Sequence, residues 1–408
     1  MAKLTKTNPF DPSVLMVPHT YNRCLREEAP VYHCQKTGIY FVSTYDLVME
    51  VAKNEKVYSS KFSTMMKGDQ ARDEELLAIQ SQGFPRIDTM LTQDPPEQRR
   101  YRSLCQKPFS VSSVKKLRPY LKFLANDLID VFIDEGKCNW MDDFCVPFAV
   151  NMIAKILGVP LKDMDLFKVW SDANVYQFAA GQTRAELLRS AQLVVDSQHY
   201  FAKKIEDRQK QATDDVLSDI VNSGIDGEEP MNVAECISVI AQLLVAGNET
   251  TTAVFAEGMY LLIKNPDQLA MVQEDVTLIP NMVEEMLRFC TPSAQMWRIV
   301  KTDTELGGTA IPAGATVMVK WISANRDEAF YPDGDRFDVK RENSKKHLAF
   351  GQGVHHCLGA PLARQELEVG WQVVLERMTQ FKTSTELKFH PSMLLHAPVG
   401  IEIEFDKI

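Results

Sequence analysis

The strongest chemical signal lies near the C-terminal end, in His347-Leu348-Ala349-Phe350-Gly351-Gln352-Gly353-Val354-His355-His356-Cys357-Leu358-Gly359-Ala360-Pro361. Gly351 and Gly353 let the backbone bend tightly and let a large group approach closely. Pro361 suits the first turn of a helix, where its missing N–H would have no partner anyway. Leu362, Ala363, Leu367, Trp371 and Val374 continue as the apolar stripe of that helix. Cys357 is thus placed at a helix N-terminus, where free N–H groups and the dipole favour an anion. Under those conditions a thiol becomes a thiolate and a metal ligand. A cysteine alone is more often buried and inert, so the residues around it decide.

Those residues spell F-G-x-G-x-H-x-C-x-G from Phe350 to Gly359. The pattern resembles the haem-binding loop of the cytochrome P450 family, the haem-thiolate monooxygenases. The resemblance implies haem b (iron protoporphyrin IX) as cofactor, Cys357 as proximal iron ligand, and Phe350 beside the cofactor. It places His355 and Arg298 against the haem propionates, a role that suits the guanidinium fork. His356 is expected to face outward.

A second stretch, Ala246-Gly247-Asn248-Glu249-Thr250-Thr251, falls in the middle of a long apolar helix. Gly at a helix centre costs about 1 kcal/mol against Ala. Asn and Thr offer the backbone competing hydrogen bonds. Thr250 could bond back to the carbonyl of Ala246 and Thr251 to that of Gly247, opening the helix for a small guest such as O₂. The residues are similar to the family's [AG]-G-x-[DE]-T element. By that resemblance Thr250 hydrogen-bonds the oxygen being activated, and Glu249 relays protons.

Glu285-Met286-Leu287-Arg288 puts opposite charges at i, i+3, a pairing worth only about 0.2–0.5 kcal/mol on a surface. It resembles the family's E-x-x-R element, buried and bonded to an arginine-bearing segment. Arg336, in Asp335-Arg336-Phe337-Asp338, is the expected third member. Gln98 stands where the family commonly has His. Arg102 lies on the same helix face. Gln98 can donate a hydrogen bond to a propionate but carries no charge.

The elements that must position these residues follow from periodicity. Residues 39–42 read as a strand and 47–52 as a helix. Residues 59–92 have a weak pattern with a short helix at 74–81, and the resemblance makes this region a cover over the substrate. Helices are expected from Pro95-Pro96, over 114–133, 171–181, 184–210 and 233–263. The segment 211–230 reads as a polar loop with a helical turn. A hairpin is expected over 304–314, a strand over 316–320, and a period of two over 400–405. The fold class is mainly α with small β-sheets, and the resemblance implies the prism-like P450 fold. We expect a single domain over 1–408, β-rich at about 30–60, 291–320 and 385–408, and helical at about 94–290 and 357–380.

The composition is ordinary for a globular chain: 408 residues, 45% hydrophobic and 25% charged. A net charge of −10 argues against general affinity for nucleic acid or anionic membrane. The eight cysteines form no C-x-x-C pair and read as reduced thiols of a cytoplasmic protein. Residues 1–10 lack a signal-peptide core, and the apolar run at 239–247, broken by Gln242, is too short for a membrane span.

The resemblance implies a soluble monooxygenase that inserts one atom of O₂ into an apolar molecule such as a terpenoid, steroid, fatty acid or macrolide. Electrons would come in trans, from ferredoxin and an NAD(P)H-dependent ferredoxin reductase, because no redox domain follows Ile408. Arg99, Arg100, Lys107, Lys345, Lys346 and Arg364 could steer that acidic donor. Met65, Met66, Phe84, Phe178, Leu243, Ala246, Met296 and Leu395 are candidate pocket walls by position. The rival readings are a peroxide-driven haem hydroxylase, a non-catalytic haem sensor or carrier, and a non-haem protein. The presence of Glu249 and Thr250 argues against the peroxide-driven enzyme.

Overall fold

A computed structural model describes residues 2–63, 73–176, 182–224 and 229–408. Its main helices are α1 (His19–Glu28), α2 (Tyr45–Lys53), α3 (Glu97–Cys105), α4 (Arg118–Asp130), α5 (Arg184–Lys210), α6 (Val233–Lys264), α7 (Ile279–Cys290) and α8 (Ala360–Arg377). The strands are β1 (Val31–Cys34), β2 (Ile39–Val42), β3 (Tyr58–Ser59), β4 (Lys137–Asn139), β5 (Met296–Val300), β6 (Thr304–Leu306), β7 (Thr309–Ile311), β8 (Thr316–Val319), β9 (Met378–Lys382) and β10 (Glu402–Lys407).

Local chemistry sets many boundaries. Thr183 and Glu186 form a reciprocal capping box at the start of α5. Proline occupies the first turn of α4, α7 and α8. Pro119 also explains why the helix expected over 114–133 is broken into Val111–Lys115 and α4: proline starts a helix but cannot continue one. Ser171, expected to open a helix, sits inside Met164–Tyr176 instead. The stretch 177–181 lies outside the described residues. Strand β4 falls in a region expected to be wholly helical, because it is made by pairing with the distant β10.

The residues group into two compact units, Met1–Ser60 with Lys116–Phe148 and Thr250–Ile408, and Lys61–Lys115 with Ala149–Glu249. The division falls within the continuous helix α6, between Glu249 and Thr250. The first unit holds a five-stranded sheet of order β1-β2-β8-β5-β3, a three-stranded sheet β4-β10-β9 and the hairpin β6-β7. In β10 the period of two is plain: Ile403 and Phe405 are buried, while Glu402 and Glu404 face water. Val42, Val48, Val317, Val319, Tyr58 and Leu348 pack one core beside the larger sheet.

A second core in the same unit joins α6 to α8. Trp140 stacks on Phe144 at 4.4 Å, and Phe255 meets Phe144 at 5.5 Å and Trp371 at 5.6 Å. Each buried aromatic removes a large apolar area from water, about 1.5–3 kcal/mol apiece. Gly370 makes the approach possible, since a Cβ there would lie 2.4 Å from the Phe255 ring. By length and composition alone α6 could cross a membrane, contrary to the reading of its central run, yet 56% of that window is buried inside the protein.

Candidate active site

The cysteine loop is built by its glycines. Gly351 and Gly353 have φ of +64° and +73°, a region where a side chain is strained. At Gly353 a Cβ would also sit 2.4 Å from the Ala52 carbonyl oxygen. The Cys357 N–H donates to the Phe350 carbonyl at 2.8 Å and closes the turn. Helix α8 then begins with Gly359 as N-cap and Pro361 in its first turn.

Cys357 is half-buried, whereas burial pushes the Cys105 and Cys236 thiols up to about 12 and those of Cys138, Cys145 and Cys290 higher still. Those five thiols stay protonated and inert. Among the described residues no group of three or more His, Cys, Asp or Glu could hold a metal ion. A single thiol such as that of Cys357 suffices for an iron whose other donors come from a macrocycle, so the residues present fit haem.

A buried carboxylate next to the expected motif holds this loop. Glu284 lies 3.0 Å from His347 and accepts from Arg364 Nε at 2.7 Å. Burial pushes Glu284 up, but the His347 and Arg364 hydrogen bonds outweigh it and hold it at about 2. The Arg364 guanidinium in turn lies 4.6 Å over the Phe350 ring. Sequence reasoning missed Glu284, although its signal was the acidic doublet Glu284-Glu285 opposite a histidine.

Glu285 and Arg288 are fully buried and paired through two bonds, of 2.7 and 2.8 Å. Arg288 also donates to the carbonyls of Asn325, Gly334 and Arg336. The third member is Arg341 and not the expected Arg336. Arg341 Nε donates to Glu285 Oε1 at 3.0 Å. The Arg336 side chain is exposed, and only its carbonyl enters the network, accepting from Arg341 at 2.9 Å. Glu285 Oε1 already receives Arg288, Arg341 and the Asp338 N–H, so its acceptor capacity is filled.

Helix α6 runs unbroken through its polar turn. Gly247 is there for packing: a Cβ would lie 2.2 Å from the Ile153 side chain. Asn248 donates to Ser171 Oγ at 3.1 Å. Glu249 is half-buried, and its carboxyl is raised by burial and then by Asp172. Thr250 is half-buried. Thr251 does not bond back to Gly247 as expected. Its hydroxyl donates to Glu366 Oε2 of α8 at 3.1 Å. Burial pushes Glu366 up to about 8, against the lowering effect of Thr251. An acid inside the apolar stripe of α8 was the available sequence signal for Glu366.

In the first unit, Arg298 sits in β5, is 4% exposed and donates to the Trp297 carbonyl at 2.7 Å. His355 and His356 are both half-buried, so His356 does not simply face outward. Met296 and Leu395 are half-buried. Lys345 and Lys346 are exposed, but Arg364 is tied to Glu284.

In the second unit, Gln98 is buried and Arg102 half-buried on one face of α3. Arg99 and Lys107 are exposed, whereas Arg100 pairs with Glu235 at 2.9 Å. Leu243 is half-buried and Ala246 exposed. Phe84 is anchored by its N–H to Gln198 at 2.8 Å. Met65, Met66 and Phe178 lie outside the described residues.

Known proteins resemble this chain along most of its length. The cytochrome P450 family model matches residues 16–405. The chain is 35% identical over 320 residues to mycinamicin IV hydroxylase/epoxidase of Micromonospora griseorubida, covering 77% of this chain and 79% of that protein. It is 31% identical over 360 residues to a steroid C26-monooxygenase of Mycobacterium tuberculosis, covering 88% and 86%. The solved structure of cytochrome P450 CYP109Q5 from Chondromyces apiculatus superposes with a TM-score of 0.85 at 32% identity, covering 98% of both chains. With a thiol held at a helix start, a buried E-x-x-R pair and a family match along nearly its whole length, the chain belongs to the cytochrome P450 family of oxygen-incorporating oxidoreductases.

Proposed function

We propose that Cys357 is the single protein ligand of the haem iron, and that the chain hydroxylates or epoxidises an apolar small molecule. Haem b is the family's cofactor, and when bound it supplies the activation of O₂ from which one atom enters the substrate. The observation that carries the reading is the half-buried Cys357 thiol, held by a turn whose left-handed backbone at 351 and 353 favours glycine.

The remaining roles fall to this chain's own groups. Arg298, His355, Arg102 and Gln98 would hold the propionates, the first three with charge assistance when protonated. Phe350, stacked under Arg364, would wall the cofactor on the thiolate side. The Thr250 hydroxyl would donate a hydrogen bond to the O₂ being activated. Glu249, whose burial favours its protonated form, would carry protons towards Thr250. Glu285, Arg288 and Arg341 would keep the loop's supporting segment in place.

Relatives named for mycinamicin IV and for a steroid support a bulky apolar substrate of macrolide or steroid type, with terpenoids and fatty acids as further classes. Ferredoxin and an NAD(P)H-dependent reductase are the proposed electron donors, with Lys345 and Lys346 as exposed cations for docking. The eight free thiols support a cytoplasmic location.

The test is spectroscopic. The reduced, CO-bound protein should show the red-shifted thiolate Soret band, and Cys357→Ala should abolish it. Product should form with ferredoxin, reductase, NAD(P)H and O₂, and Thr250→Ala should lose product while retaining haem. An unchanged spectrum in Cys357→Ala overturns the reading. Turnover with peroxide alone would replace it by the peroxide-driven alternative.

A further inference from the structure

Just beyond β8, the first unit buries a lysine with no counter-charge among the described residues. Lys320 is 4% exposed. Its Nζ donates to Gln295 Oε1 at 2.8 Å and lies 5.7 Å from the centre of the Phe41 ring. Among the described residues no carboxylate forms an ion pair with it, and burial alone pushes its ammonium down to about 7. An ammonium has three donors and no acceptor. Gln295 takes one of them, and the Gln295 amide nitrogen is itself spent on the Met393 carbonyl at 2.6 Å.

Beside Lys320 lies a cavity of about 10 Å³, lined by Gln295, Ser392, Leu395 and His396 together with Leu15 and Pro18 of the N-terminal segment. That volume holds one water-sized group. Its polar lining offers one further hydroxyl, that of Ser392. Ser392 Oγ already accepts from the N–H groups of Leu394 and Leu395, at 3.3 and 3.1 Å. Its own O–H is left to donate. His396 is 2% exposed and held neutral by burial, well down at about 3, so it brings no competing charge. Glu257, 3.9 Å from His396, is pushed up to about 7 by burial and stays largely protonated below neutrality. The loop carrying these groups is tied down by Ala294 N–H to the Leu394 carbonyl and His396 N–H to the Pro292 carbonyl, both at 2.8 Å.

A buried ammonium that none of the described residues neutralises, beside a small cavity with a free hydroxyl, fits an external anion. We propose that Lys320 and Ser392 form a binding site for a water-sized monoanionic group, a halide or the oxygen of a carboxylate, with Gln295 fixing the ammonium in place. The carboxylate has two sources: a small free acid, or the acidic end of an apolar substrate. The second source rests on the reading of Leu395 as a wall of the substrate pocket, because Leu395 lines this cavity as well.

The test uses haem-loaded protein in two arms. In the first, chloride and acetate are exchanged for gluconate, too large for the cavity, at constant ionic strength while the thermal midpoint is followed. Chloride or acetate should raise the midpoint of the wild type and leave Lys320→Met unmoved. The variant should fold, because an apolar side chain of similar length needs no counter-ion. In the second arm, the spin-state shift is titrated with decanoic acid and with its methyl ester. The wild type should favour the acid by about 10- to 100-fold, and Lys320→Met should bring the ratio to about one.

A response in the first arm alone supports the site with a free anion as its occupant. A response in the second supports the substrate carboxylate. If neither arm separates wild type from Lys320→Met, the inference is overturned. The CO spectrum keeps the two readings apart: a normal thiolate band with silent arms sinks the anion site alone. A missing band sinks the haem-thiolate reading while the first arm still decides on the anion.

Discussion

The replacement of Arg336 by Arg341 in the E-x-x-R network can be tested by comparing their alanine substitutions. Arg341 is 9% exposed and donates to Glu285 Oε1 at 3.0 Å and to the carbonyls of Pro332, Asp333 and Arg336 at 2.9, 3.2 and 2.9 Å. Arg341→Ala strips one cation from a buried carboxylate and leaves three carbonyls short of a donor. Removing one partner of a buried pair costs about 3–5 kcal/mol. Three lost bonds at about 0.5–1.5 kcal/mol each give a similar total without the charge. Glu285 keeps Arg288 and the Asp338 N–H, so the expected loss is about 3 kcal/mol, near the lower end. Arg336→Ala removes an exposed side chain and keeps the carbonyl, so its effect should stay within about 0.5 kcal/mol. The assay is guanidinium unfolding of both variants followed by tryptophan fluorescence, with haem retention as a second readout. Adding Glu285→Gln to Arg341→Ala should reveal a coupling of about 0.5–3 kcal/mol. Equal destabilisation by the two arginine variants, or a neutral Arg341→Ala, would refute the assignment.

Glu366→Gln should change the pH dependence of stability. The Glu366 carboxyl is raised from 4.5 to about 8 in the fold, so the folded state holds a proton that the unfolded state has released, and wild-type stability falls as pH rises across that window. The glutamine variant should lose this part of the slope, seen in unfolding midpoints between pH 5 and pH 8; an unchanged slope refutes it. Gly353→Ala should cost about 1–3 kcal/mol from the left-handed backbone alone, and more from the collision with Ala52, read as poor haem incorporation at normal expression. A fully loaded variant would contradict the geometry. Glu284→Ala should destabilise by about 3–5 kcal/mol, because it leaves buried His347 and the Arg364 guanidinium without their acceptor. Arg364→Met should cost less, since that side chain is 30% exposed; denaturation midpoints in the reverse order would count against the arrangement.

Much of the site was legible because its signals are local. The glycine-cysteine loop depends on backbone freedom at Gly351 and Gly353 and on the helix start at Pro361, all set by neighbours along the chain. The same holds for the alternation of β10. The long helix α6 was readable from its apolar run, within a residue of its end.

The tertiary structure decided what side chains meet across the sequence. Thr251 and Glu366 are 115 residues apart, and nothing near Thr251 signals that its hydroxyl will leave the helix for α8. Glu284 reaches His347 and Arg364 by the same kind of distant pairing. Arg341 displaces Arg336 because the lone pairs of one buried carboxylate are limited, and only the folded backbone settles which guanidinium reaches them. The F-G-x-G-x-H-x-C-x-G spacing carried the family resemblance from which the chemistry proposed for Cys357 follows. The fold determined which buried charges pair within the protein, as at Glu285, and left Lys320 with no carboxylate partner among the described residues. Burial turns each such pairing into a large energy, and burial is a property of the packed chain that no local stretch of sequence contains.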